Sequence, residues 1–222
     1  MKIDHRRTYY LTIDTETTND FDDPIVYDIG CAIHDKNGKV YETRSFVIYD
    51  TFFGMADLMK TAYYAEKIPQ YLEDIKNGTR KVVQYKTARH EIYTLCKKYN
   101  VKAVIAHNMA FDYNALHTTQ RYLTKSKYRW FFPFGTELWD SLKMAQSTIC
   151  KQKNYIRFCK ENNYLTKFGR PQATAEVLYR YITNNTDFIE EHTGLADVMI
   201  EKEITAKCLA QHKKMKKLCF GA

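Results

Sequence analysis

Alternating apolar and polar residues predict that the chain opens with a β-strand at residues 9–17. Two further runs rich in β-branched and aromatic residues, at 25–34 and 40–49, flank an Asn-Gly pair at 37–38. Asn-Gly is the strongest short-range signal for a hairpin turn, so these two runs are expected to pair as neighbouring strands. The pattern therefore predicts three consecutive antiparallel strands, the first of which has one apolar face.

The later part of the chain changes to helical spacing of its apolar residues. The predicted elements there are a helical region at about 53–98 broken at Pro69 and at 77–78, a buried strand at 101–106, a helix carrying Phe111 to Leu123, an aromatic, β-leaning segment at 129–139, a helix that begins at Asp140 and Ser141, and helices at 172–182 and 194–209. Strands that alternate with helices after an antiparallel opening indicate a mixed α/β sheet with helices on its faces.

Length and composition indicate an ordinary globular protein. The 222 residues are expected to form a single domain, 1–222, with a basic tail at about 211–222. Hydrophobic residues make up 45% and charged residues 27%, which argues against a disordered chain. No apolar run approaches the ~18 residues of a membrane helix. The charged N-terminus lacks the apolar core of a signal peptide, so a soluble, cytoplasmic protein is expected.

The charge balance favours a polyanionic partner. Lysine and arginine outnumber aspartate and glutamate by 34 to 26, which gives a net charge of +8. Basic residues concentrate at 121–129, 151–157 and 212–217, which suits either a solvated surface with a frayed tail or a path for the phosphates of a single strand. Aromatic residues at 128–134 suit base stacking, core packing or a dimer contact. The six cysteines form no CxxC pair and are expected in the core.

Asp14 and Glu16 form a pair of carboxylates at the end of the first predicted strand. Residues two apart on a strand point to the same face. Two like charges at that spacing repel each other unless a cation lies between them, and hard divalent ions prefer such oxygen ligands. The pair therefore predicts a metal site, although a solvated strand end has the same pattern.

Two further positions carry candidate chemistry. Asp112 follows the buried strand at 101–106, where a first-turn aspartate also stabilises a helix without any metal. His192 and Asp197 would be about 140° apart on one continuous helix, so they converge only if the histidine lies on the loop before it. Gly194 fits a helix that begins after His192. The alternative is an exposed loop histidine beside an ordinary first-turn aspartate.

Taken in order, the segments D-x-E, H-N-x-x-F-D and H-x4-D resemble the DEDD superfamily of 3′–5′ exonucleases. One subgroup of this superfamily, the DnaQ-like or ribonuclease T-like enzymes, has a histidine in the third motif, and His192 matches that position. The resemblance extends over about residues 8–210 and includes Ile29-Gly30 and the segment 139–145. The shortage of glycine and the abundance of lysine, asparagine and tyrosine also resemble the composition of phage-encoded proteins or of proteins from AT-rich bacteria.

The resemblance implies a ribonuclease H-like fold with a five-stranded mixed sheet. It implies an enzyme that hydrolyses phosphodiester bonds at the 3′ end of single-stranded DNA or RNA and releases nucleoside 5′-monophosphates. His192 would act as the general base on the attacking water. Two divalent cations, Mg²⁺ or Mn²⁺ because the ligands are hard oxygens, would be held by four residues: Asp14, Glu16, Asp112 and Asp197.

Residues next to these positions are assigned to the substrate by the same resemblance. Thr17 would hydrogen-bond the terminal nucleotide, and Asn108 and Phe111 flank Asp112, although Phe111 equally suits a core position. Asp140 is expected to cap its helix and not to bind metal. The choice between DNA and RNA stays open, because it depends on the space around the 2′-hydroxyl.

Two features depart from the family pattern. Asn19 stands where the family often has glycine, and the segment between the third strand and the second motif is long and rich in tyrosine. That segment weakens the case for a proofreading role. The alternatives are a catalytically silent nucleic-acid-binding module, a polymerase-accessory module, or a structural phage protein, and the five intact catalytic positions argue against decay. Some members of the family form dimers, so a homodimer or a polymerase partner also stays open.

Overall fold

The computed structural model describes residues 3–18, 23–124 and 130–220. Asn19, which departs from the family pattern, and Tyr128 of the aromatic segment lie outside these ranges, as does most of the basic stretch at 121–129. None of the described helices is both long and apolar enough to cross a membrane.

Within these ranges a six-stranded mixed sheet forms the centre of the fold, in the spatial order β4-β3-β2-β1-β5-β6. The strands are β1 (Tyr9–Thr18), β2 (Ile25–Asp35), β3 (Val40–Ile48), β4 (Lys81–Val83), β5 (Ala103–Ala106) and β6 (Glu137–Asp140). The first three strands pair antiparallel, as predicted, and Gly38 turns the hairpin at a positive φ of +79°. The strands β4, β5 and β6 pair parallel to their neighbours.

Five strands were predicted, whereas the described sheet has six. The strand β4 lies inside the region at 53–98 that was predicted to be helical, shortly after its predicted break at 77–78, and it pairs with the end of β3. Its three residues are too few for a recognisable period, and their partner is distant in sequence. In the predicted β-leaning segment at 129–139, the described part begins at Trp130 and is β-strand from Glu137 onwards.

Helices cover both faces of the sheet. They are α1 (Tyr49–Phe52), α2 (Ala56–Met59), α3 (Ile68–Lys76), α4 (Tyr85–Lys98), α5 (Met109–Thr124), α6 (Ser141–Ser147), α7 (Lys153–Glu161), α8 (Ala175–Thr183) and α9 (Gly194–Leu209), with 3₁₀ turns at Ala65–Lys67 and Ile149–Lys151. The predicted bounds of α9 are confirmed. Asp140 caps α6, because its carboxylate accepts hydrogen bonds from the backbone N–H of Leu142 (2.9 Å) and Lys143 (3.2 Å).

The strand β1 has one apolar face, as predicted, but both of its faces are buried. Leu11 and Ile13 pack in a core with α4 and α5, whereas Tyr10 packs in a second core with α6, α8 and α9. On that second face Thr12 and His34 are fully buried and hydrogen-bonded to each other at 2.8 Å. The polar side chains that the helix α9 covers therefore have hydrogen-bond partners in each other.

Part of the basic tail is ordered against β6. The backbone N–H of Cys219 donates to the Leu138 carbonyl (2.8 Å), and the N–H of Asp140 donates to the Lys217 carbonyl (2.7 Å). Lys217 also places its ammonium 4.2 Å from the centre of the Trp139 ring. Residues 217–219 therefore extend the sheet edge, and the interpretation of a frayed tail is wrong for them.

Candidate active site

Acidic residues collect where the strands β1 and β5 reach their carboxyl ends. Asp14 and Glu16 point to the same face of β1, as their spacing predicts, and that face is covered by α9. One ligand atom each from Asp14, Glu16 and Asp197 lies within 4.8 Å of the others. A β-bulge interrupts the pairing with β2 between Glu16 and Thr17, which suits a strand end where side chains are redirected toward a site.

The start of α9 sits directly on β2 beside Asp14. Gly30, the pairing partner of Asp14, is so close to the helix that a Cβ on it would lie 2.1 Å from the backbone carbon of Gly194. Any side chain at either glycine would push the helix away from the strands. This close approach brings Asp197, in the first turn of α9, to the carboxylates of β1.

His192 lies on the loop before α9, as its spacing to Asp197 required. One ligand atom each from Glu190, His192 and Asp197 lies within 4.8 Å of the other two. The histidine and the aspartate therefore converge. The backbone of His192 has a positive φ of +51°, which is uncommon for a residue with a side chain. Non-glycine residues held there cluster at functional sites, which agrees with a specific task for this loop.

Asp112 approaches from the opposite side of the sheet, in the first turn of α5. Its Oδ1 accepts hydrogen bonds from the backbone N–H of Thr15 (3.0 Å) and from the Thr15 hydroxyl (2.8 Å). Asp112 belongs to neither group of three converging ligands found among the described residues. It lies near enough to raise the pKa of Asp14, after burial and Glu201.

Burial in a shared site raises the pKa of each carboxyl group. Burial is the main cause that raises the pKa of Glu16 to about 9, and the charges of Asp28 and Asp197 raise it further. Burial also raises the pKa of Asp197 to about 8, with a further contribution from the charge of Glu190. Burial likewise raises the pKa of Asp112 to about 7, against the Thr15 hydrogen bonds. The like charges repel one another in a poorly solvated place.

The donor set fits a divalent cation. Buried polar atoms normally have hydrogen-bond partners, yet Oδ1 of Asp197 is buried and has none in the described part of the chain. Its neighbours are carboxylate oxygens of Asp14 and Glu16, which cannot donate to it when ionised. A hard cation among these oxygens would satisfy Asp197 and reverse the repulsion.

The raised pKa values imply that the metal-free protein loses stability as the pH rises. Unfolded carboxyl groups titrate near pH 4, so the protonated forms favoured by the fold contribute fully only below about that pH. That contribution is lost as the pH rises through the folded pKa values of about 7 for Asp112, 8 for Asp197 and 9 for Glu16. We expect the melting temperature in EDTA to fall by several degrees between pH 5 and pH 9, and saturating Mn²⁺ to remove most of the fall. A flat or rising profile in EDTA would contradict this electrostatic account.

Two buried residues near the site carry no signal in the sequence. Asp28 is fully buried beside Glu16, and its Oδ2 accepts hydrogen bonds from Arg80 (2.9 Å), the Tyr71 hydroxyl (2.6 Å) and the Gly194 backbone N–H (3.0 Å). Asp28 thereby ties β2 to α3 and to the start of α9. Glu201, one turn beyond Asp197, is buried near Asp14 and accepts from the backbone N–H of His107 (3.2 Å). Only the three-dimensional contacts reveal either role.

The residues assigned to substrate differ in how exposed they are. Thr17 is half-buried at the bulge, and Asn108 is exposed with a φ of +79° at the junction before α5. Phe111 is half-buried and belongs to none of the three hydrophobic clusters of the described chain, which argues against the core interpretation. Of the aromatics at 128–134, Phe131 and Phe132 are buried in the core, whereas Trp130 and Phe134 are exposed.

The long segment before α4 also reaches the site, which the sequence did not indicate. The Tyr64 ring stacks on the His192 ring, with centroids 4.6 Å apart and planes 12° apart. The Lys67 ammonium donates a hydrogen bond to the Glu191 carbonyl. Burial chiefly lowers the pKa of His192, and Lys67 lowers it further.

Comparison with solved structures finds this architecture in nucleases. E. coli exonuclease I in complex with a 5cy-dT13 oligonucleotide has a TM-score of 0.56 at 15% identity, over 93% of this chain and 40% of that chain. Cell-death related nuclease 4 (CRN-4) has a TM-score of 0.54 at 11% identity, over 95% of this chain and 66% of that chain. The zinc-bound form of an E. coli exonuclease I complex with single-stranded DNA has a TM-score of 0.51 at 16% identity, over 93% of this chain and 41% of that chain.

The likeness is one of fold. The sequence matches no protein-family model and no curated protein. The chain spans between 40% and 66% of the length of these solved proteins. Its mixed sheet with flanking helices confirms the predicted ribonuclease H-like α/β fold, which is shared with exonuclease I and with CRN-4.

Proposed function

We propose that this protein is a metal-dependent 3′–5′ exonuclease that acts on single-stranded DNA or RNA and releases nucleoside 5′-monophosphates. The observation that carries the proposal is the convergence of Asp14, Glu16 and Asp197 within 4.8 Å, with His192 beside Asp197. The shared fold supports it, because one neighbour is an exonuclease in complex with an oligonucleotide.

Asp14, Glu16 and Asp197 would hold two divalent cations, Mg²⁺ or Mn²⁺, together with Asp112 from the far side of β1. When bound, such a pair activates water and neutralises charge on the attacking and leaving oxygens of a phosphodiester. Thr15 fixes Asp112 through two hydrogen bonds, so this carboxylate is held in place before any ligand arrives. Asp28 fixes the start of α9, and with it Asp197.

His192 would accept the proton of the attacking water at a ring nitrogen. Its pKa is lowered chiefly by burial, so the ring is neutral and able to accept a proton at neutral pH. The Tyr64 stack holds the ring plane, and Asp197 lies beside it to stabilise the imidazolium after transfer.

Replacement of His192 by alanine is expected to lower kcat by about 10²–10⁴-fold, the range for loss of a general base. Mn²⁺ affinity should be nearly unchanged, because the carboxylates remain. Single-turnover cleavage and a Mn²⁺ titration of the same variant measure the two quantities. Wild-type turnover in the variant would remove His192 from the mechanism.

The polarity of cleavage tests the proposed function itself. Single-stranded DNA and RNA oligonucleotides labelled at the 5′ end are incubated with Mg²⁺, with Mn²⁺ or with EDTA, and the same strands labelled at the 3′ end serve as the comparison. A 3′–5′ exonuclease shortens the 5′-labelled strand stepwise and releases the 3′ label as a mononucleotide in the first turnover. Strands that stay intact under every metal condition would favour a catalytically silent binding module on this fold.

A further inference from the structure

The stretch between β3 and α4, residues 49–80, forms a small unit with its own hydrophobic core. Tyr27 and Val47 of the sheet pack there against Phe52, Met59 and Tyr71 of the stretch. Arg80 closes the unit, since it binds Asp28 and Asp74 at 2.9 Å each and stacks on Tyr71. The 49–80 segment is therefore anchored to the sheet and can hold a side chain at a fixed place.

This segment presents one cation to the candidate active site. Lys67 is half-buried, its ammonium lies 5.8 Å from the centre of the Tyr64 ring, and it donates to the carbonyl of Glu191 next to His192. Its positive charge acts on Glu16 and on Asp197, since it opposes the rise in pKa that burial causes at both. Lys67 therefore lies within electrostatic reach of two proposed metal ligands and of the proposed base.

Among the described residues Lys67 donates a single hydrogen bond, so part of its hydrogen-bonding capacity is unused. An ammonium group carries three N–H donors, and the Glu191 carbonyl takes one of them. Carbonyl oxygens are neutral, whereas a phosphate oxygen offers the stronger, charge-assisted bond. A polyanionic strand must approach a site lined by acidic groups (Asp14, Glu16, Asp112, Glu190 and Asp197), and Lys67 adds positive charge there to that of the proposed cations.

We propose that Lys67 is a further substrate-binding residue, whose ammonium donates a hydrogen bond to a phosphate oxygen at the 3′ end of the bound strand. The inference rests on the proposed function and adds to it a contact from the 49–80 segment. Because the Glu191 carbonyl uses one donor only, the lysine keeps the 190–192 loop in place while it binds the phosphate.

The test compares Lys67→Gln with Lys67→Arg and with a matched control, Lys60→Gln. Lys60 lies in the same segment, is largely exposed, and pairs only with the exposed Asp57 among the contacts described for it. Steady-state cleavage of a 5′-labelled dodecathymidylate with Mn²⁺ gives kcat and KM from 50 to 200 mM salt. A second measurement uses fluorescence anisotropy for binding of the same strand in the Asp14→Asn background.

We expect Lys67→Gln to lower kcat/KM by about 10- to 100-fold, mainly through KM, which is the range for a hydrogen bond to a charged group. The plot of log affinity against log salt concentration has a negative slope, and this slope should become less steep by about 0.7 in the variant. That is the value for the loss of one phosphate contact on a single strand. Lys67→Arg should retain most of the activity, and Lys60→Gln should match the wild type.

The outcomes separate the inference from the proposed function. If the wild type cleaves and Lys67→Gln behaves like Lys60→Gln in both kcat/KM and salt slope, the contact is refuted while the nuclease stands. If the wild type does not cleave but binds, and Lys67→Gln lowers the affinity and the slope, the contact stands and the nuclease is refuted. A wild type that neither cleaves nor binds refutes both.

Discussion

Replacement of Asp14 by asparagine is expected to abolish cleavage, with a fall in turnover of about 10³-fold or more. Loss of one carboxylate ligand weakens cation binding. Bound cations of this kind stabilise the transition state by several kcal/mol, so their loss slows the reaction by orders of magnitude. Asp14 belongs to the group of three converging carboxylates, and its backbone pairs with Gly30 where the helix α9 touches the sheet. Asparagine has nearly the same shape, so this contact is retained.

The same variant is expected to be more stable than the wild type when no metal is present. Burial, and then the charges of Glu201 and Asp112, raise the pKa of Asp14, so its ionised form is unfavourable in the fold. An amide removes that cost, and the melting temperature in EDTA at pH 8 should rise by a few degrees. Asp187→Asn, at an exposed carboxylate, is the control and should change neither quantity. Full turnover in Asp14→Asn would remove this residue from the site.

Replacement of Arg80 by methionine is expected to lower the free energy of unfolding by about 3 kcal/mol, the lower end of the range for an unpaired buried charge. The Arg80 side chain is 9% exposed and that of Asp28 is fully buried, so water cannot replace the ion pair. The melting temperature should fall by roughly 6–12 °C at this chain length. Because Asp28 also holds Gly194, the change should weaken Mn²⁺ binding as well.

Two further variants identify the cause. Arg157 pairs with Glu161 at 3.9 Å on an exposed surface, so Arg157→Met should cost less than about 0.5 kcal/mol. Adding Asp28→Asn to Arg80→Met should recover part of the loss, since it removes the buried charge left behind. Equal melting temperatures for Arg80→Met and Arg157→Met would show that the buried network does not stabilise the fold.

Local patterns were enough to predict most elements of the fold. The Asn37-Gly38 turn, the alternation in β1 and the apolar stripe of α9 each depend on neighbours in sequence, and all three are confirmed. The strand β4 and the covered polar face of β1 were missed. Both depend on what packs against them from distant parts of the chain.

The candidate site shows the same division. The predicted residues Asp14, Glu16, His192 and Asp197 were recognisable because each stands at a fixed spacing from another acidic or basic group, and the structure brings them together. Asp28, Glu201 and Lys67 follow no such spacing. Each reaches the site through tertiary contacts alone, with Gly194, His107 and Glu191 respectively.

Calorimetric titration with Mn²⁺ of the wild type and of Asp14→Asn is the most direct test of the central claim, which is that the converging carboxylates form a divalent-cation site. We expect the wild type to bind Mn²⁺ with release of protons, because the carboxyl groups with raised pKa values must ionise. Asp14→Asn should bind at least tenfold more weakly. A wild type that binds no Mn²⁺ at pH 8, or binds it as well without Asp14, would contradict the assignment of this cluster as the metal centre.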